Sequence, residues 1–219
     1  MTLVVLDLDG TLVDSAADLA LAINAGLSAA GLPQASDARV RSWIGDGVDV
    51  LVERAIEGQG GEIAAAFPVA RKAFGETYEQ HLYDRSRLYD GVPETLDALK
   101  AAGFTLVCVT NKKESFALSV LEKAGILDRF ALAIGGDTLP RRKPDPLPLL
   151  HAAEAMKVEP SKAIMVGDSH HDLSAAVAAG FAFIWASYGY CDDAGPMDPN
   201  RYRRIDAFPE VIGALAELG

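Results

Sequence analysis

Five short apolar runs punctuate the chain, at Leu3–Leu8, Phe104–Thr110, Ala131–Ile134, Ala163–Val166 and Phe181–Ala186. Each is rich in Val, Ile, Leu and Phe and lacks clean alternation, the pattern of strands buried on both faces of a parallel sheet. Helical patterns lie between them. One opens at Pro93-Glu94-Thr95 and stops at Gly103; the next runs from Ser115 to Ala124 and closes at Gly125. A third starts at Pro146, a fourth runs from Leu173 to Ala179 before Gly180, and the last covers Pro209 to Leu218. Strands alternating with helices predict a doubly wound, Rossmann-like α/β domain with right-handed crossovers.

One block breaks this rhythm. Between Ser15 and about Leu88 the pattern is helical only. Ser15 with Asp18 reads as a capping pair for a helix ending at Gly31. Ser36 caps a second helix ending near Trp43, Asp49 to Glu57 forms a third and Glu62 to Leu82 a fourth. The expected organisation is thus an α/β core of residues 1–14 and 89–219, with a helical domain, 15–88, inserted after the first strand. An insert of about 70 residues is the size of a small domain.

Composition narrows the function classes. Half of the 219 residues are hydrophobic, yet no apolar run reaches the ~20 residues of a membrane span. The first residues lack a basic region before their apolar run, so no signal peptide is expected. Cys108 and Cys191 are far apart, and Cys108 lies inside a strand pattern; both read as free thiols, which points to the cytoplasm. A formal net charge of −11 argues against nucleic acid or an anionic membrane as a partner.

In open α/β sheets, ligands bind beyond the carboxyl ends of the strands. The first run ends in Asp7 and Asp9, the second in Thr110-Asn111-Lys112, and the fourth in "GDSHHD", with Asp168 and Asp172. "RRKPDP", with Lys143, follows the third. Asp7 and Asp9 project to one side of an extended chain, and Gly10 permits a sharp turn. Close carboxylates repel unless a cation lies between them or one holds a proton. Alone, such a pair could cap a turn; a second acidic tip at Asp168 makes that reading insufficient. Hard oxygen ligands with few nitrogens or sulfurs suit Mg²⁺. His170 and His171 are not expected to bind zinc, because adjacent histidines project in different directions.

"DLDGTLVDS", "VTNK", "RRKPDP" and "GDSHHD", in that order, resemble the four motifs of the haloacid dehalogenase-like phosphatases. The helical insert falls where that superfamily has its cap. The resemblance implies Asp7 as the nucleophile that forms an aspartyl-phosphate. It implies Asp9 as the acid that protonates the leaving oxygen and then the base for the hydrolytic water, with its proton affinity raised by its neighbour. Asp7, Asp168 and the backbone carbonyl of Asp9 would hold Mg²⁺. Thr110 and Lys143 would bind the transferring phosphoryl group, with Asn111 beside them. Asp172 would order metal-bound waters or hold Lys143. The family pattern often has Asn at the position of His171, a departure that touches the surroundings of the site.

Within the superfamily, Asp9 argues against dehalogenases, which lack an acid at that position. Lys72 is the only lysine of the insert, in a charged helical stretch, which argues against a Schiff-base hydrolase. "GLPQASDARVRSWIGDGVDVLVERAI", "RLYDGVPETLDALKAAGF" and "GGDTLPRRKPDPLPLL" resemble phosphoglycolate phosphatases. The turn "WIGDG", with Trp43, Gly45 and Gly47, is a candidate for substrate selection and equally a plain helix–helix turn. The expected substrate is a small phosphorylated metabolite, 2-phosphoglycolate first. The alternatives are a sugar phosphate such as N-acetylmuramic acid 6-phosphate, a β-phosphoglucomutase-like mutase, and a binding module on a retired phosphatase scaffold. Lys112, Lys113, Arg141, Arg142 and Lys143 are expected to give the mouth of the site a positive field. The oligomeric state is not legible.

Overall fold

The computed structural model describes residues 2–191 and 198–218. The chain forms two compact units, Met1–Asp14 with Leu88–Gly219, and Ser15–Arg87.

The first unit is built on strands β1 (Leu3–Leu6), β2 (Val13–Asp14), β3 (Arg87–Leu88), β4 (Thr105–Val109), β5 (Leu132–Ile134), β6 (Ala163–Gly167), β7 (Ala182–Ala186) and β8 (Tyr202–Ile205). Six of them form one sheet in the order β5-β4-β1-β6-β7-β8, each neighbouring pair parallel. The order reverses at β1, the topological switch point at which doubly wound sheets open a crevice. β2 and β3 pair separately, where the chain leaves for the helical segment and returns.

The expected fold class holds for physical reasons. Leu3 and Val5 of β1 point to one face, packed with Val107, Met165 and Phe183 against Leu149 and Ala175. Val4 and Leu6, equally buried, point to the other. Helices α1 (Ala16–Ala29), α2 (Asp37–Arg41), α3 (Val48–Gly58) and α4 (Ile63–Gln80) make up the second unit. Its core packs Ile23 and Leu27 of α1 with Val52 and Ile56 of α3 and Phe74 of α4. Helices α5 (Val92–Ala101), α6 (Glu114–Lys123), α7 (Leu147–Met156), α8 (His170–Ala179) and α9 (Val211–Leu218) flank the sheet. Among the described residues no helix is long and apolar enough to cross a membrane.

Three expectations need correction. β8 was not anticipated, because "YRRI" carries two arginines; Arg203 pairs with Glu217, and Arg204 lies over the Trp185 ring while pairing with Asp206. Charge on a sheet edge discourages pairing with other chains. Ser15 and Asp18 do not form a capping pair: the Ser15 side chain makes no cap hydrogen bond. The Asp18 carboxylate instead accepts the backbone N–H groups of Arg85 and Ser86, both at 2.9 Å, and the Ser86 hydroxyl. It thereby ties the two chain ends of the helical unit together. Finally, α8 starts at His170, three residues before the expected Leu173, because Ser169 and Asp172 form a reciprocal capping box.

Candidate active site

The tips of β1, β4 and β6 carry the site. Asp7 follows β1 directly: its N–H still donates to Val166 of β6, at 3.0 Å, and its Oδ1 accepts the Leu8 N–H at 2.7 Å. Lys143 lies 2.9 Å from Asp7 Oδ1 and 2.6 Å from Asp172 Oδ1. Its ammonium also donates to the carbonyl of Val109, at 2.7 Å. Only 2% exposed, Lys143 is no solvated member of a basic run. Asp172 does two jobs at once, its Oδ1 holding Lys143 and its Oδ2 accepting from the N–H and hydroxyl of Ser169, at 3.1 and 2.6 Å. One carboxylate thus both caps α8 and holds the lysine.

Asp168, at the end of β6, is fixed from two sides. Thr11 donates its hydroxyl to Oδ1 at 3.2 Å, and the backbone N–H of Tyr190 donates to Oδ2 at 2.8 Å. Gly10 has φ +86°, which favours glycine, and a Cβ there would fall inside the Asp168 carboxylate. Gly189 approaches Asp168 as closely from the loop after β7. Tyr190 also donates its hydroxyl to Asp14, at 3.2 Å, and Tyr188 donates to the Thr11 carbonyl at 2.8 Å. "YGY" (188–190) was not singled out in the sequence; its signal was a glycine between two aromatics at the tip of the last apolar run.

Carboxylate oxygens of Asp7, Asp168 and Asp172 lie within 4.8 Å of one another, and all three residues are buried. Burial, then Asp172, pushes the Asp7 carboxyl up to about 7 against the pull of Lys143. Burial, then Asp7 and Asp172, raises Asp168 well above the ordinary carboxylate range. Burial works against the charge of Lys143, but Asp172 and Asp7 outweigh it and raise its pKa. Three buried carboxylates thus share one nearby ammonium, an excess of negative charge that a divalent cation relieves. Oxygen-only donors at strand tips fit a hard cation of the Mg²⁺ kind.

From β4, the Thr110 hydroxyl accepts the Lys112 N–H at 3.2 Å, and Asn111 donates its amide to the Lys143 carbonyl at 3.0 Å. Asp9 meets the ammonium of Lys112, at 3.0 and 2.8 Å from its two oxygens. The sequence suggested Asp7 as its governing neighbour, and the structure adds this buried cation. The expected positive mouth shrinks accordingly. Lys112 and Lys143 are buried in ion pairs, and Arg141 pairs with Asp145 at 3.0 Å; Lys113 lies over the Phe116 ring, and Arg142 is exposed. His170 and His171 do not diverge as expected, since their ring centroids lie 4.3 Å apart.

In the helical unit, Trp43, Gly45 and Gly47 form the turn between α2 and α3. Gly45 and Gly47 have φ of 135° and 86°. Arg54 pins this turn, pairing with Asp46 at 2.6 Å and donating to the Trp43 carbonyl at 3.1 Å, and Arg39 lies over the Trp43 ring. Trp43 is thus engaged in packing of its own unit.

The family model of the haloacid dehalogenase-like hydrolases matches residues 4–186. A phosphoglycolate phosphatase of Nitrosococcus oceani is 40% identical over 219 residues, covering 98% of this chain and 96% of the relative. One from Vibrio cholerae is 43% identical over 220 residues, covering 99% and 96%. The crystal structure of a predicted phosphoglycolate phosphatase from Haemophilus somnus superposes with a TM-score of 0.89 at 37% identity, covering 98% of this chain and 97% of that one. The chain belongs to the haloacid dehalogenase-like hydrolases, and it is an enzyme of that family.

Proposed function

We propose that the protein is a Mg²⁺-dependent phosphomonoester hydrolase that acts on 2-phosphoglycolate through an aspartyl-phosphate on Asp7. The observation that carries this reading is Asp7 itself. It is a buried carboxylate at a strand tip, 2.9 Å from Lys143 and crowded by Asp168 and Asp172. Such an arrangement works against stability and suits a nucleophile held ready for a cation and a phosphate. The relatives' shared name, at 40 and 43% identity over nearly the whole chain, supports the substrate.

Asp7, Asp168 and the backbone carbonyl of Asp9 would hold Mg²⁺. Bound there, the cation would screen the repulsion between the Asp7 carboxylate and a phosphate dianion. An Asp7 oxygen attacks phosphorus in line, and the bond from phosphorus to the glycolate oxygen breaks. Asp9 gives the leaving oxygen its proton. Asp9 then takes a proton from the water that attacks the aspartyl-phosphate, which regenerates Asp7 and releases inorganic phosphate. Thr110, whose oxygen already accepts from Lys112, has its O–H to donate to a phosphoryl oxygen. Lys143 offsets charge on the transferring group, with Asn111 and Asp172 holding it in place. The helical unit 15–87 serves as the cap, and its Trp43–Gly47 turn contributes to selecting the ester.

The test is release of free phosphate, with Mg²⁺, from 2-phosphoglycolate, N-acetylmuramic acid 6-phosphate, glucose phosphates and pyrophosphate. The expected outcome is that 2-phosphoglycolate leads in kcat/KM, while Asp7→Asn or a chelator abolishes turnover. Preference for another ester overturns the substrate but keeps the mechanism. An isomerised product without free phosphate overturns hydrolysis in favour of a mutase.

A further inference from the structure

Lys112 is the second buried lysine of the core unit, with a side chain only 3% exposed. Its ammonium donates to both oxygens of Asp9, at 3.0 and 2.8 Å. The lysine is itself built in from two sides. Its N–H donates to Thr110 Oγ1 at 3.2 Å, and its carbonyl accepts the Gly136 N–H at 2.7 Å. A Cβ on Gly136 would fall inside the carbonyl of Asn111, so the close approach of these two loops depends on a glycine there. The end of β5 therefore sets where the Lys112 backbone sits, and the lysine stem sets where its ammonium meets Asp9. The Asp9 backbone is held as well, since it bridges to Val13 within a turn in which Gly10 donates to the Val13 carbonyl at 2.9 Å. Lys112 grips the carboxyl group of this turn through both of its oxygens. A long charged side chain is seldom buried for packing alone.

We propose that Lys112 is a positioning residue for Asp9, holding its carboxyl group in the orientation from which it serves the leaving oxygen. This rests on the reading of Asp9 as the proton donor in phosphate ester hydrolysis. The geometric role works against the lysine's charge, which favours the ionised carboxylate, so a Lys112→Met variant that gains activity on the alkyl ester overturns the proposal. The Lys112 ammonium acts on the substrate through Asp9, so its contribution tracks how much the leaving group needs a proton.

The experiment compares kcat/KM for two esters, because this ratio reports the steps up to phosphoryl transfer onto Asp7 and leaves out the later hydrolysis. In 2-phosphoglycolate the leaving group is a basic alkoxide that needs a proton. In 4-nitrophenyl phosphate it is a weakly basic phenolate that does not. Lys112→Met keeps the stem and removes the ammonium. It is expected to lower kcat/KM for 2-phosphoglycolate roughly a hundredfold, the usual worth of a positioned general acid, and for the nitrophenyl ester only a few-fold. Lys112→Arg, which keeps the charge, is expected to recover part of the difference. In an Asp9→Asn background, Lys112→Met should add no further discrimination between the esters. Equal losses on both esters, or undiminished discrimination in the Asp9→Asn background, overturn the proposal. If Lys112→Met does not fold, Lys112→Arg decides alone, through the same selective loss for the alkyl ester in smaller measure. Wild-type protein that hydrolyses neither ester defeats the phosphatase reading and this inference with it, whereas wild-type turnover with parallel losses defeats only the inference.

Discussion

Asp7 and Asp168 are carboxyl groups whose folded-state pKa values lie above their ordinary value of 3.8, Asp7 at about 7. Burial is the first cause for both, and neighbouring carboxylates add to it. The consequence for stability follows from linkage. Between the unfolded and folded pKa values the native state binds more protons than the unfolded chain, so stability falls as pH rises through that window. Without metal, the protein is therefore expected to lose stability from about pH 4 to about pH 7 as buried Asp7 is forced to ionise, with the upward-shifted Asp168 adding a loss of the same sign. A divalent cation reverses the penalty by pairing with the ionised forms. Saturating Mg²⁺ is expected to raise Tm by roughly 5 °C near neutrality, and by progressively less as the pH is lowered. Thermal melts with Mg²⁺ and with chelator across this range provide the check, and a Mg²⁺ increment that stays flat or grows toward acid contradicts the carboxylate assignment.

At the scale of elements, the site depends on how closely loops approach strand tips. The loop after β7 brings the Tyr190 N–H to 2.8 Å from Asp168, and Gly189 leaves no room for a Cβ beside that carboxylate. Gly189→Ala is expected to push the loop away and let Asp168 reorient. A disturbed partner of a metal ligand typically costs about 10–100-fold in metal affinity, and that is the loss expected for Mg²⁺ or Mn²⁺ by calorimetric titration. The β6 strand and the sheet around it are untouched by this change, so the circular dichroism spectrum should not alter. Unchanged metal affinity would show that Asp168 is held without this loop.

On the scale of the whole molecule, the chain is two units with separate cores. The helical unit is an insertion, so both of its ends must be fastened for it to stay folded. Asp18 does this through the N–H groups of Arg85 and Ser86, and it is buried, at 1% exposure. Asp18→Ala leaves two backbone donors without their charged acceptor, a loss of about 3 kcal/mol. Opening is expected to concentrate in residues 15–87, seen as faster amide exchange in α1 and α4 while the sheet of the core unit stays protected. Uniform exchange across both units would instead mean that the molecule unfolds as one cooperative body.

The linear sequence determined five of the six strands of the main sheet, the helices between them and the break in rhythm at the helical insert, because burial on two faces, complete in β1, β6 and β7 and nearly so in β4, leaves unbroken apolar runs that need no partner to be recognised. It also determined which residue types stand at the strand tips, since Asp7, Thr110 and Asp168 each lie at the end of an apolar run or within two residues of it. Pairing was decided only by the tertiary structure. Asp18 looked like a helix cap and proved to be a clasp, and Asp172 proved both a cap and a holder of Lys143. Lys112 was expected to add positive field at the mouth of the site and is a buried partner of Asp9, and Gly136 and Gly189 gained their meaning from loops brought against them. β8 was hidden because an edge strand keeps charges that a central strand cannot. The physical reason is common to all of these. Apolar periodicity is a local property of the chain, whereas the partner of a buried charge and the space beside a glycine are set by residues that stand outside the local run, such as Lys143 for Asp172, Arg85 for Asp18 and Lys112 for Asp9, and only the packed sheet brings them together.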